Sequence, residues 1–172
     1  MTTYSREIES DITSRSRVFG ITLGVLCMPT AFMGGIVGAC CPLGVFVGMI
    51  PVLMWSTLAG FLSAMFLNWS AVPHEQSVGV GVRVGMKTGL IASLIGAGGT
   101  VLISTMFAGA IEGGLASSTD PGLSGAGAGL TAASFVTNLF AAAVAVVFGI
   151  VFAVVGAVIG AAWKRPSGNQ QS

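Results

Sequence analysis

Three neutral side chains, Thr100, Ser104 and Asn138, are the residues of this chain best suited to handling a small molecule. Thr100 and Ser104 are four apart, so a helix would stack their hydroxyls on one face. If Asn138 faced them, two hydroxyls and a carboxamide could line a narrow hydrated path or hold an uncharged solute. Such groups also have a commoner use. Ser and Thr hydroxyls bond the helix carbonyl one turn back, and Asn often bridges neighbouring helices. Stronger chemistry is hard to assemble. His74, beside Glu75, is the only histidine, and a metal site needs three or four ligands. No acid–histidine–serine or cysteine–histidine set can be placed on one side of a membrane. Gly79-Val80-Gly81 and the glycine strip from Gly125 to Gly129 lack the strand–helix setting and basic residue of a phosphate loop. The chain is therefore expected to be no enzyme and to carry no cofactor or metal.

The elements around these residues follow from composition. Hydrophobic residues make up 53% of the 172 positions and charged residues 8%, with a mean hydropathy of +0.91. A soluble domain carries roughly 25% charged residues, so this surface belongs in lipid. The net charge is +1 and the basic residues are scattered, which argues against a nucleic-acid partner. Residues 18–67 hold no charge, too long a stretch for one crossing and about right for two of ~20–25 residues. The expected fold is an all-α integral membrane protein, an antiparallel bundle of four transmembrane helices. The spans are predicted at 18–41, 43–67, 84–111 and 137–161. Pro29 and Pro51 fall inside the first two, and a kink or break is expected near Pro29. Residues 1–17 read as a polar tail or a short helix on the membrane surface, with Tyr4, Ile8 and Ile12 on one face. Residues 130–136 are expected at the opposite interface, and 166–172 as a polar tail.

All seven Lys and Arg then fall on one side. Arg6, Arg15 and Arg17 precede the first span, Arg83 and Lys87 open the third, and Lys164 and Arg165 follow the fourth. Cytoplasmic segments are the ones enriched in Lys and Arg, so both termini are expected in the cytoplasm, and the host membrane is expected to be a prokaryotic inner membrane. Trp69 and Trp163 suit the headgroup level.

A Gly-rich four-span chain of this size resembles in outline the proteolipid subunits of rotary ATPases. That resemblance implies a mid-helix carboxylate, and the fourth span offers only Asn138. Small multidrug transporters likewise have four spans but carry a Glu in the first, where this chain has no acid. Both likenesses fail on those residues. Val37-Gly38-Ala39-Cys40 resembles the lipobox of bacterial lipoproteins, yet Pro42 and another apolar run follow where that family has a polar linker. Cys27 reads as a small apolar filler.

Small residues recur at four-residue spacing along the spans. Gly81, Gly85, Gly89, Ser93 and Ala97 form a row in the third. Ala141, Ala145, Gly149, Ala153, Ala157 and Ala161 form one in the fourth, with Gly156 and Gly160 on a neighbouring ridge. Gly20/Gly24, Gly34/Gly38 and Gly44/Gly48 mark the first two spans. Lipid supplies no hydrophobic drive between helices, so close backbone packing and interhelical hydrogen bonds take that place. The third-span row is the expected contact ridge, facing another span or a second subunit. The expected role is structural, accessory or assembly-related, with the bilayer as partner and a homo-oligomer or larger membrane complex as the setting. The alternative is a small channel or transporter for an uncharged or weakly polar solute.

Overall fold

The computed structural model describes residues 3–39, 44–72, 76–117 and 130–164. They form four long helices: α1 (Thr3–Ala39), α2 (Gly44–Met65), α3 (Ser77–Ala116) and α4 (Leu130–Lys164), with one 3-10 turn at Trp69–Ala71 between α2 and α3. At 1.5 Å per residue, α1, α3 and α4 are each ~50–60 Å long and α2 ~33 Å.

Cross-helix neighbours give the directions. Thr30 meets Trp55, and Phe19 stacks on Phe66, so α1 and α2 are antiparallel. Gly20 lies against Ile91, and Gly24 against Ala92 and Ile95, so α1 and α3 are parallel. Gly85 meets Val154 and Gly89 meets Ile150, so α3 and α4 are antiparallel. The order is therefore up-down-up-down. Both α1 and α4 pack on α2 and α3, which also touch each other, while α1 and α4 lie on opposite sides of that pair. This topology gathers every described Lys and Arg at one end: Arg6, Arg15 and Arg17 early in α1, Arg83 and Lys87 early in α3, and Lys164 at the end of α4.

The helix bounds differ from the predicted spans in instructive ways. The polar segment before residue 18 is continuous with α1. Its apolar face is turned onto protein: Ile12 is 1% exposed and packs with Leu67, Val80 and Val84, flanked by Ile8, Trp69 and Val72. No Gly or Pro interrupts residues 3–19, so the helix has no reason to stop at the first charge. α1 also runs unbroken through Pro29 and α2 through Pro51. α3 starts seven residues before the predicted span, alongside the α1 extension, and residues 130–136 belong to α4. The connection after α2 is pinned from both sides. Trp69 Nε1 donates to the Ala64 carbonyl at 2.7 Å, and the Asn68 N–H donates to Asp11 Oδ2 at 3.4 Å. His74, Glu75, Cys40, Cys41, Arg165 and the strip from Gly125 to Gly129 lie outside the described residues.

Among the described residues, two helices are long and apolar enough to cross a bilayer: Ser77–Gly114, with mean hydropathy 1.8, and Phe135–Lys164, with 2.9. Only 22% and 28% of their most apolar windows are buried. The core helix of a soluble protein would hide most of such a stretch.

Candidate helix-packing site

Small residues make up most of the interior, beside Leu23, Val52 and the Ile12 cluster. Ala59, Ala64, Ala92, Ala97, Ala145, Ala153, Ala157 and Ala161 are buried, while Leu90, Leu94, Leu102, Phe140, Val147, Val151 and many other large apolar side chains face outward. Soluble cores reverse this pattern.

The row on α3 is buried from Gly81 to Ala97, and its partner is α4 of the same chain. A Cβ placed on Gly85 would stand 2.5 Å from the Val154 Cα and 2.9 Å from the Ala153 carbonyl oxygen. One on Gly89 would stand 2.7 Å from the Ala153 Cβ and 2.9 Å from the Ile150 Cα. Gly81 sits more loosely, its nearest neighbour being the Ala161 Cβ at 3.4 Å. From the α4 side, a Cβ on Gly149 would meet the Ser93 Cβ at 2.8 Å and Ser56 Oγ at 3.0 Å.

The second ridge of α4 serves a different neighbour. A Cβ on Gly160 would lie 2.8 Å from the Phe61 carbonyl oxygen, and one on Gly156 would collide with the Thr57 carbonyl, both on α2. α2 answers with Gly60, where a Cβ would collide with the Ala153 carbonyl. On the far side, Gly20, Gly24 and Gly96 seat α1 on α3, with the Cys27 Sγ 3.1 Å from a Cβ built on Gly96. The surroundings of Gly34, Gly38, Gly44 and Gly48 lie outside the described set.

Hydroxyls fill the remaining polar demand of the interior. Thr88 and Ser63, both fully buried, join α3 to α2 through Thr88 Oγ1 donating to Ser63 Oγ at 3.1 Å. Ser93 donates to the Gly89 carbonyl of its own helix. Trp55 Nε1 donates to Thr30 Oγ1 at 3.0 Å, and Thr30 in turn donates to the Cys27 carbonyl at 2.9 Å. This relay ties α2 to α1 one residue beyond Pro29. Ser16 Oγ is buried without a hydrogen-bond partner among the described residues.

Thr100 and Ser104 stand one turn apart on α3, half-buried. Their hydroxyls donate to the Gly96 and Thr100 carbonyls, each at 2.7 Å. Asn138 is half-buried on α4, and among the described residues no hydrogen bond joins it to either. The sequence marks neither the Ser63–Thr88 pair nor the Trp55–Thr30 bond as a site. The types were visible, but their partners are 25 residues away in each case. Gly60 was not singled out either, although Ser56, Gly60 and Ala64 form a four-residue row of small residues on α2 that could have marked it. Comparison with protein-family models, curated proteins and solved structures returns no match for this chain.

Proposed function

We propose that this chain is a four-span membrane protein whose role is structural or accessory, with both termini on the cytoplasmic side. The observation that carries this reading is the inverted packing, Gly, Ala, Ser and Thr within and large aliphatic and aromatic side chains without. Lipid tails solvate such an exterior, and small residues let backbones approach inside it. The gathering of every described Lys and Arg at one end supports the sidedness through the positive-inside rule. α2 is ~33 Å long and matches a hydrocarbon core of ~30 Å. α1 extends beyond it at the polar end, α4 mainly at the opposite end, and α3 at both.

A scaffold is favoured over a conduit because the contacts among α2, α3 and α4 are already at their limit. At Gly60, Gly85 and Gly156 a single added carbon would strike backbone, which leaves no width for a solute there. The channel reading draws on Thr100, Ser104 and Asn138, but the first two spend their hydroxyls on their own helix. With its described small-residue rows occupied internally, the bundle would meet a second copy or a larger complex through its outer aliphatic faces. Native mass spectrometry and crosslinking in mild detergent test the assembly role. A defined oligomer or a stoichiometric partner is expected, and a strict monomer with no co-purifying protein would overturn it.

A further inference from the structure

Beside the polar end of α1 lies a cleft of about 920 Å³ against the start of α3. Three guanidinium groups line it: Arg6 and Arg17 from α1 and Arg83 from α3. None of the three has an ion pair among the described residues. The one carboxylate in the wall, Glu9, is paired with Lys87, which also donates to Thr13 Oγ1 at 3.1 Å. The cleft therefore presents uncompensated positive charge together with the hydroxyl of Ser14, while the Ser10 hydroxyl donates to the Glu7 carbonyl at 2.8 Å. Guanidinium groups on two walls, with a hydroxyl beside them, are the equipment for a phosphate.

The floor of the cleft says where that phosphate comes from. Val18 closes it, 57% exposed. Ser14, Val18, Ile21 and Val25 follow at 4-3-4 spacing, so they continue one helical stripe from the cleft along α1. On α3 the same geometry carries Arg83 into Leu90 and Leu94. Ile21, Val25, Leu90 and Leu94 are all exposed. Gly98 lies one turn beyond Leu94, with nothing within 4 Å of a Cβ built there. A charged pocket thus leads onto exposed aliphatic surface of two parallel helices. A free anion would have no use for that surface, whereas acyl chains would cover it.

We propose that the α1–α3 cleft binds the phosphate of an anionic phospholipid of the cytoplasmic leaflet, with the chains laid along Val18, Ile21, Leu90 and Leu94. The inference rests on the four-span reading with the polar end at the cytoplasmic surface. Basic pockets between spans on that side are suited to anionic headgroups.

The test uses the full-length protein in nanodiscs of phosphatidylcholine containing phosphatidylglycerol, with retained lipid read by native mass spectrometry after gentle release. Wild type is expected to retain phosphatidylglycerol over phosphatidylcholine. Arg6→Gln, Arg17→Gln and Arg83→Gln should each reduce the preference roughly fivefold. Arg15→Gln, whose guanidinium pairs with Asp11 away from the cleft, should leave it unchanged. Inorganic phosphate at millimolar concentration should not displace the lipid. Equal retention of both lipids, or an unchanged preference in the three cleft variants, would overturn the site. Displacement by inorganic phosphate would reassign it to free anions. A chain that fails to enter nanodiscs would overturn the membrane reading itself, a result distinct from incorporation without lipid preference.

Discussion

Gly85 on α3 approaches α4 so closely that a Cβ in its place would stand 2.5 Å from the Cα of Val154. The atom it would meet belongs to backbone, so no side chain can swing away to make room. Gly85→Ala is therefore expected to lower stability by about 1–3 kcal/mol, the usual cost of overpacking, and Gly85→Leu to reduce folded yield sharply. Gly79 on the same helix has nothing within 4 Å of its Cβ position. There Gly79→Ala should be neutral or stabilising by up to ~1 kcal/mol, because Ala is the better helix former. Denaturant titration in micelles, followed by circular dichroism, checks both. Equal effects at the two positions would show that the ridge is incidental.

The Trp55–Thr30 bond should contribute modestly. Cross-helix hydrogen bonds in membranes average about 0.6 kcal/mol and reach ~1.7. Trp55→Phe and Thr30→Val are each expected to destabilise within that range, beyond any loss of packing. The double variant should show a coupling of the same size. Zero coupling in that cycle would mean that the indole and hydroxyl do not meet.

The α1 extension makes a sharper demand. Ile12 is 1% exposed among Leu67, Val80 and Val84, so Ile12→Ala should cost about 2–5 kcal/mol. The neighbouring Glu9–Lys87 pair is well exposed, at 49% and 39%. Glu9→Gln should therefore change stability by no more than ~1 kcal/mol, and less in high salt. A neutral Ile12→Ala in the same unfolding assay would detach the polar segment from the bundle.

Much of the helical architecture was legible from the residues. The lengths of the apolar runs gave four helices, the uncharged stretch 18–67 being long enough for two, and the spacing of Gly81, Gly85 and Gly89 marked a close approach. The extent of α1 was less legible. Charge density suggested an end at residue 18, but charge does not terminate a helix when a partner covers its apolar face, and Leu67, Val80 and Val84 cover Ile12. The identity of each ridge's partner was also out of reach. Gly156 and Gly160 read as a ridge beside the row of Ala153, but nothing in the spacing said that they face α2 while Gly149 and Ala153 also meet α3. A four-residue period fixes which side chains share a stripe and leaves open what that stripe touches. The cleft of Arg6, Arg17 and Arg83 joins residues up to 77 positions apart, and only the parallel packing of α1 on α3 brings them together.

The central claim is that four spans leave the basic end in the cytoplasm. Single cysteines at Ser10, Ser70 and Ser117, introduced into a chain whose native Cys27, Cys40 and Cys41 have been replaced, test it most directly. All three sites are exposed, at the start of α1, between α2 and α3, and just past α3. With a membrane-impermeant maleimide on intact cells, Ser117→Cys should label at once, and Ser10→Cys and Ser70→Cys only after permeabilisation. Labelling of Ser10→Cys or Ser70→Cys from outside, or protection of Ser117→Cys until lysis, would contradict the account.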